Sequence, residues 1–182
     1  QEALIQAYLD RGDTYIPDRG CSGPEVKDLS DNTVLIAINS QWYLENWNNK
    51  EGVNEGCELR TRELFLRKLM DKIKDFRHKN IILAMHHPLN SNGRYGGRYS
   101  AKEHLLPLPG IGSIGAFMNN SIANEQELRH PNYQALKATL IDIAEKFTNV
   151  IFVAGHEQRL QYFEEEDQFF IVSGAAAGQT PV

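Results

Sequence analysis

The residues best suited to chemistry in this chain are histidines, and they follow directly on short apolar runs. Ile81 to Met85 leads into His86-His87-Pro88, and Val150 to Ala154 leads into Gly155-His156-Glu157-Gln158. A third run, Thr33 to Ile38, ends in Asn39-Ser40. Neutral imidazole is the commonest side-chain metal ligand, so histidines brought to one place by two strands are suited to holding a metal ion. Pro88 biases His87 toward extended backbone. Side chains alternate along such backbone, so at most one of His86 and His87 is expected to face the site. Gly155 permits a tight turn and close backbone approach just before His156. Two imidazoles are too few for a stable metal site, which takes four or more donors. Further donors must come from elsewhere in the chain.

These groups need a sheet to position them. Short β-branched runs separated by helical segments predict a largely parallel sheet buried on both faces, and ligands of such sheets sit beyond the carboxyl ends of the strands. The first strand is expected at Thr33–Ile38, the second at Asn80–Met85 and the third at Val150–Ala154. Between the first two, Thr61 can cap a helix in which Leu66, Leu69, Met70 and Ile73 recur at helical spacing. Pro131 suits the first turn of a second helix with Tyr133, Leu136, Leu140, Ala144 and Phe147 as its apolar stripe. Leu160–Phe163 and Phe169–Val172 are expected to form an antiparallel hairpin around the acidic turn Glu164–Asp167. Gln1 to Leu9 reads as the end of a helix, and Gly12 through Pro24 as loop. Gln41 to Gly56, with Trp42 and Trp47 among many Asn and Gly residues, reads as a surface excursion. Asn90 to Arg129 is long and irregular, and loops of that length inside a domain are usually functional.

Composition sets outer bounds. The 182 residues suit one domain. A net charge of −5 argues against a protein that grips a nucleic-acid backbone through bulk charge, while leaving room for a small phosphorylated substrate. No apolar run is long enough to cross a bilayer as a helix. Cys21 and Cys57 lie in Gly-rich stretches too far apart for a paired-cysteine metal motif. They are either one disulfide, if the protein is exported, or two inert thiols, if it is not.

Two stretches carry a family likeness. Ala84-Met85-His86-His87-Pro88 and Gly155-His156-Glu157-Gln158-Arg159-Leu160-Gln161-Tyr162 resemble the last two motifs of the calcineurin-like metallophosphoesterases. The branch they resemble is that of the purple, or tartrate-resistant, acid phosphatases, whose final motif reads Gly-His-x-His-Asn-Leu-Gln-Tyr. The strand ending in Asn39-Ser40 and the segment Ser173-Gly174-Ala175 occur in the same order. The resemblance implies an α/β fold: part of a four-layer α/β/β/α sandwich with mixed, largely parallel strands and a two-metal centre at the sheet edge. The family's upstream motifs (Asp-x-His, Gly-Asp-x-x-Tyr and Gly-Asn-His) do not occur in the chain. Residues 1–182 are therefore expected to be a single metallophosphoesterase-like domain lacking its N-terminal metal-motif half and its last C-terminal strands.

The likeness also assigns roles. His86, His156 and Gln158 are the implied metal ligands and Tyr95 the catalytic proton donor; apart from the likeness, Arg94 in the Gly-rich loop and His87 are the candidate contacts to the phosphate group. The implied cofactors are two divalent or mixed-valence ions of iron, zinc or manganese. Gln158 stands where the family has a second histidine, and an amide is a poorer donor than imidazole for zinc or iron. Tyr95 stands where the acid phosphatases keep a histidine near the leaving group, and its phenol is a weaker proton source at neutral pH. Glu157, in the variable position of the motif, is expected to be solvated. Two functions follow from these matches and departures. One is a metal-dependent phosphoesterase acting on a small phosphorylated substrate. The other is a catalytically inactive relative, without need of a metal, kept as a binding or scaffold module in a cell-envelope assembly, with Leu105–Phe117 as its docking surface for a protein partner. Export to the periplasm or cell surface, with a possible outer-membrane association, fits either.

Overall fold

The computed structural model describes residues 2–12, 14–45, 56–92, 130–147, 149–157, 160–165 and 167–174. Helix α1 (Glu2–Leu9) is followed by β1 (Glu25–Ser30), β2 (Thr33–Ala37), the short α2 (Ser40–Leu44), α3 (Arg62–Asp75) and β3 (Asn80–Met85). Helix α4 (Pro131–Lys146), β4 (Val150–Ala154), β5 (Leu160–Glu165) and β6 (Gln168–Ser173) complete the described chain. The strands form one six-stranded mixed sheet in the order β1-β2-β3-β4-β6-β5. The inner four, β2, β3, β4 and β6, are parallel, and β1 and β5 pair antiparallel at the two edges. The chain is thus an α/β protein.

Register explains why the inner strands are apolar on both faces along their central positions. Ile36, Leu83, Phe152 and Phe170 lie side by side across the four strands, and all are buried. They share one core with Phe65, Leu69 and Ile73 of α3 and with Tyr133, Leu136, Leu140 and Ile143 of α4. Complete burial of each such side chain is worth about 1.5–3 kcal/mol, so the two helices are held to this face chiefly by their apolar stripes. The opposite row, Leu35, Ile82, Ile151 and Phe169, is equally apolar but only half-buried.

Local signals place the helices as expected. The Thr61 hydroxyl accepts the Leu64 N–H at 3.2 Å and caps α3. Pro131 begins α4, and His130 caps it by accepting the Asn132 N–H through Nδ1 at 3.2 Å. The buried face of α3 centres on Phe65, Leu69 and Ile73, with Leu66 and Met70 flanking it half-buried.

Two expectations need correction. The segment after β2 is no surface excursion at its start: Asn39 caps α2 by accepting the Trp42 N–H, and Trp42, Tyr43 and Leu44 are all buried. Trp42 packs on Phe65 with ring centroids 5.7 Å apart. Trp47 lies outside the described residues. Strand β1 was not anticipated, because its outer residues (Lys27, Asp28, Leu29, Ser30) are exposed and carry no apolar alternation. It exists because β2 offers an edge two residues away, and its charged side chains suit an edge strand.

Cys21 and Cys57 form a disulfide, resolving the two alternatives in favour of the bridge. It ties the loop before β1 to the segment before α3, across 36 residues of sequence. On loop-entropy grounds a bridge of this span contributes about 3–4 kcal/mol. Reduction, or a Cys21→Ser/Cys57→Ser double variant, is expected to lower stability by that amount, read as a drop in the urea midpoint, with a steeper slope as the unfolded chain is freed to expand. An unchanged midpoint would refute it.

Candidate metal centre

The carboxyl ends of β3 and β4 are neighbours in a parallel pair, with Met85 beside Ala154. Each strand stops there and its next residues turn out of the sheet, so His86 and His156 are delivered to one spot. His156 Nδ1 lies 3.0 Å from His86 Nε2, a direct imidazole–imidazole hydrogen bond. The backbone is tied in the same place, since Gly155 N–H donates to the His86 carbonyl at 3.1 Å.

His87 joins them, contrary to the expectation that only one of the adjacent histidines would face the site. Its ring centroid lies 4.9 Å from that of His86 and 4.8 Å from that of His156. Strand alternation fails here because β3 ends at Met85 and the chain bends at His86 and His87 before Pro88. One ring nitrogen from each of the three histidines lies within 4.8 Å of the others. The cluster is graded in depth, with His86 exposed, His156 half-buried and His87 at 0% exposure.

The buried member is held by contacts that sequence reading did not foresee. Ser40 Oγ, itself buried, lies 2.9 Å from His87 Nδ1 and accepts the His87 backbone N–H at 3.1 Å. The Tyr133 hydroxyl of α4 donates to the Pro88 carbonyl, fixing the chain just beyond His87. The only sequence signal for Ser40 was its place at the carboxyl end of β2, one strand away from His86. His87 Nε2 is buried with no hydrogen-bond partner among the described residues. Burial, with the neighbouring His156 and His86, pushes the His87 pKa down to about 3, and partial desolvation of its ring by the surrounding protein lowers that of His86. Both rings are therefore neutral at pH 7, the form that offers a lone pair to a metal.

The turn after β4 differs from expectation in two respects. A Cβ on Gly155 would meet only His86 atoms at 3.9 Å, an ordinary contact, so the glycine is not required by space. The left-handed backbone belongs to His156 instead, at φ 63°, the kind of local strain that persists where surrounding contacts over-determine it. Glu157 is not solvated: it is 3% exposed and its Oε1 accepts the Ser91 hydroxyl at 2.7 Å. Gln161, in the motif stretch on β5, accepts the Asn92 N–H at 2.8 Å through Oε1. Glu157 and Gln161 thus clamp the chain that leaves the His86-His87-Pro88 bend. Leu160 and Tyr162 beside Gln161 are exposed.

A cleft of about 540 Å³ opens beside His86, lined by Tyr15, Ile16, Pro17, Ile38, Asn39 and Met85 among others. A smaller one of about 270 Å³ lies beside the disulfide and has no imidazole in its lining. Of the other residues expected at the site, Tyr95, Arg94 and Gln158 lie outside the described residues, as does Leu105–Phe117. Three imidazoles, two of them neutral at pH 7 and one of those with an orphaned buried nitrogen, suit a borderline transition ion such as zinc.

No helix among the described residues is long and apolar enough to cross a membrane. A disulfide is the rule in oxidising compartments and rare in the cytosol of most organisms. No family model matches the chain, and no curated protein matches it significantly. Among solved structures, the chain is similar to GAP50, described as the anchor in the inner membrane complex of Plasmodium, at 14% identity and a TM-score of 0.47. That match covers 84% of this chain, which spans only 36% of the GAP50 chain's length.

Proposed function

We propose that the chain is part of a calcineurin-like metallophosphoesterase domain that hydrolyses a small phosphoric ester, with a metal centre that departs from the family pattern. The observation that carries this reading is the meeting of His86 and His156 at the tips of adjacent parallel strands. These are the two positions at which the motif resemblance places metal ligands. A two-metal centre of iron, zinc or manganese, when bound, would polarise the phosphate and supply an activated water for in-line attack. By the motif resemblance His86 and His156, with Gln158, would hold the ions and Tyr95 would supply the leaving group's proton, while Arg94 and His87 would orient the phosphate. The apolar cleft beside His86 receives the organic part of the ester. The half-buried second face of the sheet fits a partial four-layer α/β/β/α sandwich, because parallel sheets are ordinarily covered on both faces. Export to the periplasm or cell surface accords with the disulfide.

The test is metal content together with turnover of p-nitrophenyl phosphate. Metal-dependent hydrolysis that falls at least about 100-fold in both His86→Ala and His156→Ala is the expected result, the scale of losing an ion's charge stabilisation. Turnover untouched by both substitutions would overturn the reading.

A second reading is favoured by the donor set itself. The metal-capable cluster among the described residues is imidazole throughout, with no carboxylate to bridge two ions. In that reading the domain binds a protein partner, through Leu105–Phe117, without catalysis. Gln158→His with Tyr95→His would then create activity that the natural chain lacks.

A further inference from the structure

We infer that His87 is a metal ligand in its own right, so that His86, His87 and His156 form a three-imidazole site for one transition ion, with Ser40 orienting His87. The assignment shares His86 and His156 with the phosphoesterase reading but gives His87 a different role from phosphate contact. Three observations carry it.

The first is the orphaned nitrogen. His87 is at 0% exposure, its Nδ1 is engaged by Ser40, and its remaining ring nitrogen, Nε2, has no partner among the described residues. An unmet buried polar atom is costly, on the order of 1–3 kcal/mol, and coordination is a direct way to meet it. The second is tautomer control. Ser40 Oγ already accepts the His87 backbone N–H, and its second lone pair can accept Nδ1–H, which leaves the lone pair on Nε2. A hydrogen bond to the far ring nitrogen is the usual second contact of a metal-bound histidine. Ser40 is itself fixed, as the first residue of α2 and fully buried. The third is spacing. Nitrogens from the three rings lie within 4.8 Å of one another, and the His86–His156 pair is at 3.0 Å. A tetrahedral ion with bonds of about 2.0–2.1 Å sets its donors roughly 3.4 Å apart. The three nitrogens therefore lie within about 1.4 Å of the spacing such an ion imposes. A fourth position stays open for water or substrate, as in catalytic rather than structural sites.

The test uses metal alone. Cobalt(II) titrated into the chain at pH 7.5 is expected to bind at one ion per chain with the visible absorption of tetrahedral nitrogen coordination. Imidazole ¹⁵N spectra taken with and without zinc should show His87 Nε2 shifting with the metal while Nδ1 keeps its proton. Ser40→Ala should weaken metal affinity by about 10–100-fold, and His86→Ala should abolish tight binding. Zinc bound with His87 Nε2 unmoved would overturn the assignment, as would failure to bind cobalt at micromolar concentration. Binding through all three rings without phosphoester turnover would refute only the phosphoesterase reading. Turnover with an unmoved His87 would refute only this one.

Discussion

Lowering the pH of the metal-free protein from 7 to 4 should remove about 3 kcal/mol of its stability through His87 alone. In the folded chain the His87 pKa is pushed down to about 3, by burial first and then by its two imidazole neighbours. In the unfolded chain it returns to about 6.5. Above that pH the ring is neutral in both states and the full stability is present. As pH falls below it, the unfolded chain takes up a proton that the folded chain refuses, at about 1.4 kcal/mol per pH unit. The loss runs down to the folded value near 3. His86, whose pKa is also lowered, adds to the loss with the same sign. Urea unfolding at pH 7, 6, 5 and 4 measures it. Carboxylates contribute to the same curve, so the decisive comparison is with His87→Gln, which keeps a polar side chain and cannot titrate there. The variant should show a distinctly shallower pH dependence. Parallel curves would mean that His87 is not the buried neutral base described above.

Gly174→Ala should be the most damaging small substitution near the site. A Cβ at that position would lie 1.6 Å from the Glu157 carbonyl oxygen and 2.6 Å from its carbonyl carbon. Both are backbone atoms, so relief requires moving the turn after β4 rather than rotating a side chain. Overpacking of a rigid interior costs about 1–3 kcal/mol, and a clash this severe belongs at or above the upper end. The moved turn carries His156, so the 3.0 Å contact with His86 should break. The variant is expected to combine a lowered urea midpoint with at least about tenfold weaker zinc binding, the scale of disturbing a ligand's support. Gly155→Ala is the control: its Cβ meets nothing closer than 3.9 Å, and its effect should stay below about 1 kcal/mol. If Gly155→Ala proved the worse of the two, the account of this turn would be wrong.

These two variants reverse what the motif alone suggests. Gly155 stands directly before a candidate ligand and invites the role of hinge, whereas Gly174 sits 18 residues beyond His156 with no local mark of importance. Packing decides between them. The end of β6 runs against Glu157 because β6 pairs parallel with β4, so two chain segments far apart in sequence share one narrow space.

Much of the scaffold was legible along the chain. The limits of β3 and β4 follow from apolar runs that stop at His86 and Gly155, and Thr61 and Pro131 mark the starts of α3 and α4 through their own backbone chemistry. The β5–β6 hairpin follows from two apolar runs around an acidic turn. These are local preferences, set by periodicity, caps and φ restrictions within a few residues, and sequence carries them directly. The placing of His86 and His156 at one sheet edge was legible too, because parallel strands share their carboxyl ends. Tertiary structure decided what no local rule encodes: the insertion of β6 beside β4, the pairing of β1, the burial of Trp42 and Glu157, and the bridge from Cys21 to Cys57. It also decided that His87 turns inward to Ser40 from a strand two positions away in the chain's order of elements. Each of these depends on which distant surfaces meet. A buried imidazole and a solvated one look the same in a sequence until the fold has chosen their neighbours.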